Sequence, residues 1–338
     1  MVAKSRPSPQ SSKRMTKGIL IVLSIVALYS AGWFYLASLA KDRVSAELAK
    51  ISGQENTLKC HSLSARGYPF SMYISCSGFN YRDQDQTLNA ATSAVDVGAS
   101  IFSFRTVKTQ LTGPAAVALS GADPVKADWS KLYASAHTDG RTAQNINLSA
   151  ENLRLQSIKA ENEVDAPAVS LLELQFELNS LEEPLKLKMT FDDLRLTGKT
   201  PLAALPELDG LIDISSPESL ASFKEPDENG SVLRGKSLQL NQMLFLLPSG
   251  ASLSINGPLT VDAEGLTNAD LKIRLTNTAA LGQTLQAAFP DQAKNINTVI
   301  FALGSMPKDD TGATIVPVLI KEGKISAGFI PLGRLPRL

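Results

Sequence analysis

Few side chains in this sequence are of the types that carry chemistry, and their spacing argues against most of what they could do. Cys60, Cys76, His61 and His137 are the whole complement of thiol and imidazole groups. A metal site needs three or four such ligands close together, and His61 adds too little to the two cysteines. No C-x-x-C redox pair is present. Acid pairs occur at Glu182-Glu183, Asp192-Asp193 and Asp309-Asp310. Neighbouring strand residues point to opposite faces, and the first and last pairs sit in Pro-containing loops, so all three read as solvated acids rather than a two-carboxylate hydrolase. The G-x-S-x-G elbow, H-E-x-x-H, the P-loop and G-x-G-x-x-G are all missing. Asn147-Leu-Ser149 and Asn229-Gly-Ser231 fit the glycosylation pattern, which matters only in a cell that performs it. The expectation is a non-catalytic protein with no catalytic residue, no metal and no cofactor.

The cysteines fit a structural role better. Cys60 to Cys76 reads as a β-hairpin about a Gly67-Tyr68-Pro69 turn. With the turn centred on Tyr68, Cys60 and Cys76 lie directly opposite each other. A disulfide there closes a short loop, worth roughly 3 kcal/mol by chain-entropy reasoning in an oxidising compartment.

Oxidising surroundings are what the first forty residues imply. The tail 1–17 carries Lys4, Arg6, Lys13, Arg14 and Lys17 and no acid, and an uninterrupted apolar run, Gly18–Ala40, follows it. About 23 residues at 1.5 Å each cross the roughly 30 Å hydrocarbon core, and the basic flank holds the N-terminus in the cytoplasm. Tyr29, Trp33 and Tyr35 gather at the far end like an interfacial aromatic belt. The competing reading is a cleaved signal peptide at Ser38-Leu39-Ala40, although the run is long and aromatic for one. Either way residues 41–338 are exported. Leu36, Leu39, Ala40, Val44, Leu48 and Ile51 continue at helical spacing, which predicts a stalk over 41–53 before Gly53. The rest, 54–338, is expected as one β-rich periplasmic domain.

The 33 basic residues include the five of the tail, leaving 28 against 33 acidic ones beyond it. That mildly acidic balance argues against a nucleic-acid partner. Patterning there has period two. Leu172, Leu174, Phe176 and Leu178 share one strand face. Leu185, Leu187, Met189 and Phe191 do likewise, but after Asp192-Asp193 the apolar positions shift to Leu194 and Leu196. A similar change separates Ile146 and Leu148 from Leu153 and Leu155. A bulge or sharp corner is expected at each. Asn152-Leu-Arg-Leu155 and Asp193-Leu-Arg-Leu196 look like weak copies of one signal.

From Lys236 to Thr276 the pattern predicts an antiparallel meander with turns at Pro248-Ser-Gly250, Asn256-Gly257-Pro258 and Glu264-Gly265. Met243, Leu244, Phe245, Leu246 and Leu247 are apolar on both faces, so either a helix covers the second face or a greasy groove opens there. These five are the candidate ligand-binding residues. Two helices divided by Pro290 are expected over Ala279–Leu303, and a closing hairpin over Ile315–Ile330. Lys224–Gly235 reads as a mobile connection.

Three stretches together resemble a known family. They are Gly32-Trp33-Phe34, Cys60…Gly67-Tyr68-Pro69-Phe70…Cys76, and the ending Glu322-Gly323-Lys324-Ile325…Gly328-Phe329-Ile330-Pro331-Leu332-Gly333…Leu335-Pro336. The chain resembles domain of unknown function 2125, a family of alphaproteobacterial envelope proteins without assigned activity. A looser resemblance is to AsmA-like envelope proteins, which implies one anchor and a long twisted sheet able to shelter lipid. The fold expected is mainly β with a few helices (α+β): a long antiparallel twisted or curved sheet, covered by helices and preceded by one transmembrane helix. The function expected is binding or transfer of a lipid or other hydrophobe at the inner membrane in envelope maintenance. An envelope scaffold that binds protein partners without a ligand is the alternative.

Overall fold

The computed structural model describes residues 10–338 except 55–56, 84–87, 120–122, 141, 159–165, 183, 224–230 and 329. The apolar N-terminal run forms one helix, α1 (Gln10–Gln54). Its stretch Lys17–Lys50 is long and apolar enough to cross a membrane, with a mean hydropathy of 2.1 over its most apolar window. That suits a membrane anchor or a signal sequence. The helix runs unbroken through the expected stalk and one residue past Gly53.

Strands fill most of the remainder. In order they are β1 (Thr57–Lys59), β2 (Ser62–Arg66), β3 (Ser71–Arg82), β4 (Leu88–Ser100), β5 (Ser103–Leu119), β6 (Val125–Asp128), β7 (Lys131–Thr138), β8 (Ala143–Ser157), β9 (Ala168–Ser180) and β10 (Pro184–Thr197). Then come β11 (Leu208–Ser219), β12 (Ser237–Leu246), β13 (Ser252–Val261), β14 (Thr267–Thr276), helices α2 (Thr278–Ala288) and α3 (Ala293–Gly304), and β15 (Thr314–Lys321), β16 (Lys324–Ala327) and β17 (Ile330–Arg334). All belong to one antiparallel sheet of 17 strands. From β8 onward each strand pairs with the next in sequence. Earlier, β1 and β2 both lie along β3, and β6 and β7 both bridge β5 to β8. Trp129 fills the break between β6 and β7, its indole N–H donating to the Leu111 carbonyl at 2.9 Å.

The helices meet the sheet at its two ends. Near the N-terminus, α1 packs on β1–β3 through Trp33 and Ala37, both buried. At the far end Leu281 of α2, and Leu303 and Met306 at the end of α3, pack on a core of Ala269, Leu275, Val316, Val318, Ile320 and Ala327. As expected, a 3-10 turn at Pro290–Gln292 divides the two helices.

Three local expectations need correction. Asn256-Gly257-Pro258 is no turn but lies inside β13, opposite Leu240 and Gln239. Gly257 (φ 143°) is needed there because a Cβ would come within 2.0 Å of the Asp270 carbonyl. The hairpin turn is wider than a Tyr68-centred one: Ser71 N–H bonds the Gly67 carbonyl, Arg66 faces Tyr73, and Cys76 faces Leu63. Cys60, in the break between β1 and β2, still reaches Cys76 with a Cα–Cα distance of 5.4 Å, and the disulfide is formed. The closing hairpin ends at Ala327, and Ile330 begins a third strand folding back on β16.

The shift of apolar positions around Asp192-Asp193 has a definite cause. Asn152 and Asp193 both adopt positive φ, 51° and 52°. Both fall against the same stretch of β9, since Glu151 and Asp192 each face Glu173 while Arg154 and Arg195 each face Ser170. The two Asx-Leu-Arg-Leu segments are therefore matching corners on either side of β9. Asn and Asp tolerate this conformation better than other non-glycine residues. Registers with β9 do not slip, and the compensating shift appears between β10 and β11.

Candidate functional site: the apolar face of the sheet

Alternation along single strands becomes a larger object once the register aligns them. One row of cross-strand neighbours runs Ala65, Ile74, Val97, Thr109, Ala134, Leu148, Phe176, Met189, Ile212, Met243, Ile255, Ile273 and Val316. The row two residues away runs Leu63, Cys76, Val95, Leu111, Leu132, Ala150, Leu174, Phe191, Gly210, Phe245, Leu253, Leu275 and Thr314. A two-residue offset keeps both rows on one face. The stripe crosses thirteen strands without a charge, and twelve inter-strand steps of about 4.8 Å make it roughly 58 Å long. Ile146, Leu178, Leu187, Ile214 and Leu240 widen it over β8–β12.

Most stripe residues between β4 and β13 are half-buried, while Leu275, Thr314 and Val316 are buried near the α2–α3 end. The opposite face is charged and polar, its row running Lys108, Ser135, Asn147, Glu177, Lys188, Asp213 and Gln242. Two open depressions lie on that polar side. One of about 330 Å³ takes in Lys108, Tyr133, Ser135, Asn147 and Glu177, and another of about 450 Å³ takes in Glu177, Lys188, Asp213 and Asn241.

The five candidate ligand-binding residues divide between the faces. Met243 and Phe245 lie in the stripe, between Ile212 and Ile255 and between Gly210 and Leu253. Leu244 and Leu246 lie on the other face, Leu246 exposed beside Asp209 and Ser252. Leu247 falls past the end of β12, its N–H bonding the Ala251 carbonyl. Sequence reasoning missed most of the stripe, because Ala, Val and Thr positions in β3–β8 alternate too weakly to stand out singly.

The groups with chemical potential are scattered. His61 is exposed beside the disulfide; His137, on β7, sits 3.5 Å from Thr106 Oγ1, with β3, β4 and β5 between them. Glu151, Glu173 and Asp192 adjoin across β8–β10, but Lys131 bonds Glu151 at 2.8 Å, and Glu173 and Asp192 are exposed. Among the described residues no three His, Cys, Asp or Glu groups come together to hold a metal. Glu183, Asn229 and most of Lys224–Gly235 lie outside the described residues. Asp309 is structural: it accepts from Thr311 Oγ1 and from Arg274 Nε, both at 2.6 Å, and from the Ala313 N–H. Those bonds, the Thr311 hydroxyl first and the Arg274 guanidinium second, hold its carboxyl well below the usual carboxylate range.

These features define a class of protein: a single long antiparallel sheet with one greasy and one polar face, led by one membrane-grade helix. The chain belongs to the family described as uncharacterized protein conserved in bacteria (DUF2125), which matches residues 33–336. No curated protein and no solved structure matches it, and the resemblance to AsmA-like proteins is not shown.

Proposed function

We propose that the protein is anchored in the inner membrane by α1, with its sheet in the periplasm, and that it binds or transfers a lipid or another hydrophobe without catalysis. The observation that carries this reading is the uncharged stripe across thirteen strands. At roughly 58 Å it is nearly twice the roughly 30 Å hydrocarbon thickness of a bilayer, so an extended acyl chain has room along it. Each methylene moved from water gains about 0.8 kcal/mol. A chain burying half of a dozen methylenes therefore gains about 5 kcal/mol before the cost of ordering it. Met243 and Phe245 remain among the contact residues. A disulfide and a basic N-terminal flank agree with an exported domain.

One observation favours the second reading, an envelope scaffold without ligand: the open depressions lie on the polar face, where a protein partner would find charges. Mass spectrometry of organic extracts decides between them. Residues 41–338 are purified from the periplasm without detergent, beside an equally exported control and an Ile212→Asp variant. One lipid class near stoichiometry, lost in the variant, supports the carrier. An extract matching the control refutes it, and crosslinking then seeks protein partners.

A further inference from the structure

The turn that carries Gly67-Tyr68-Pro69-Phe70 does not stand off in solvent. Tyr68 stacks on Phe34 of α1, with ring centroids 5.6 Å apart, and meets Trp33 edge-on at 5.5 Å. Its hydroxyl lies 2.7 Å from Ser30 Oγ, the Tyr29 hydroxyl donates to the Pro69 carbonyl, and the Trp33 indole N–H donates to the Ser71 carbonyl at 3.2 Å. All these helix residues precede Lys41. At 1.5 Å per residue, Trp33 lies about 12 Å and Ser30 about 16 Å along the helix from Lys41, inside the apolar run.

A second tip sits beside the first. Ile101 N–H bonds the Phe70 carbonyl at 3.0 Å, and the Phe102 ring lies 5.9 Å from that of Phe70. Among the described residues nothing covers these rings: Phe70 is 58% exposed, Phe102 78% and Phe104 73%. No acidic residue occurs in 67–72 or 99–105; Arg66 and Arg105 flank the patch, Arg105 with its guanidinium 6.0 Å from the Phe104 ring centroid. Other tips at the same end of the sheet are different. Asp139, Glu182, Glu264 and Glu322 stand exposed on them. Aromatics beside an apolar helix, edged by arginines whose stems can snorkel, are the composition of a membrane interface.

We infer that the two hairpin tips, through Phe70, Ile101, Phe102 and Phe104, insert into the outer half of the phospholipid bilayer beside α1. The first strands of the sheet then rise directly from the membrane. Leu63, Ala65, Ile74 and Cys76, where the apolar stripe begins, lie on the two strands joined by the inserted turn. The inference rests on α1 spanning the membrane, as proposed above, and does not depend on what the stripe carries.

The test places a single reporter cysteine in the full-length protein, reconstituted in phosphatidylcholine–phosphatidylglycerol vesicles containing doxyl-labelled lipid. The native thiols stay in their disulfide, so a nitrobenzoxadiazole label takes only Phe102→Cys, Val26→Cys in α1, or Phe301→Cys on the distant, exposed α3. The expected result is blue-shifted emission and several-fold stronger doxyl quenching at 102 than at 301, alongside quenching at 26. Quenching at 26 with 102 behaving like 301 overturns the inference and leaves the anchor intact. Absence of quenching at 26 and 102 alike overturns both. If Phe102→Cys mispairs and fails to fold, Phe104→Cys carries the same reading.

Discussion

Gly210→Ala is the sharpest probe of whether the register that aligns the stripe is correct. Gly210 lies opposite Phe191, and a Cβ built on it would come within 2.2 Å of the Phe191 ring. The ring cannot simply move aside. It is buried, faces Leu174 on the other side, and lies 6.3 Å from the Phe245 ring. An aromatic seated over a cross-strand glycine is a recognised way of filling the space a glycine leaves. Overpacking of this kind costs about 1–3 kcal/mol, and Phe191→Ala alone costs about 3–5 kcal/mol. With Phe191 already truncated, the clash is gone, and alanine gains about 0.5–1 kcal/mol over glycine by restricting the unfolded chain. The double-mutant cycle should thus show about 2–3 kcal/mol of coupling. Urea unfolding of the four full-length proteins in a mild detergent, followed by circular dichroism, measures it. Equal cost of Gly210→Ala in both backgrounds, with coupling below about 0.5 kcal/mol, would refute the pairing of β10 with β11 described above.

Two further perturbations follow. Cys76→Ser should lower the melting temperature of the oxidised protein by several degrees, since the 16-residue separation gives a loop worth about 3 kcal/mol; an unchanged melting temperature counts against the bond. Asp309→Asn should flatten the acid limb of the stability curve. The folded carboxyl titrates below its unfolded value of about 4, so its contribution is complete above that pH and fades as pH falls toward the folded pKa. The wild type should be the more stable protein at neutral pH, and the two curves should converge in acid. Parallel curves would show that Asp309 holds the loop before β15 by shape rather than charge.

Much of the fold was legible because it is local. A meander places each strand beside its neighbour in sequence, so period-two alternation and turn residues mark most hairpins, as at Pro248-Ser-Gly250 and Glu264-Gly265. The corner was legible too, since Asp192-Asp193 interrupts the alternation where Asp193 turns to positive φ. Gly257 misled because glycine signals a turn and a close backbone approach alike, and only the neighbouring strand distinguishes them. The candidate site was read too narrowly. Met243–Leu247 stood out for being apolar at every position, but alternation sends Leu244 and Leu246 to the far face.

The sequence by itself determined the membrane-grade helix, the β-rich body, the disulfide partners and the poverty of catalytic groups, because each depends on composition or on neighbours a few residues apart. Only the tertiary structure decided that thirteen separate alternations line up into one uncharged stripe, and that Tyr68 and Phe102, 34 positions apart, flank one patch beside Trp33. Register is the reason. A slip of one residue between two strands turns a whole apolar set to the opposite face, and no single strand carries the information that fixes it.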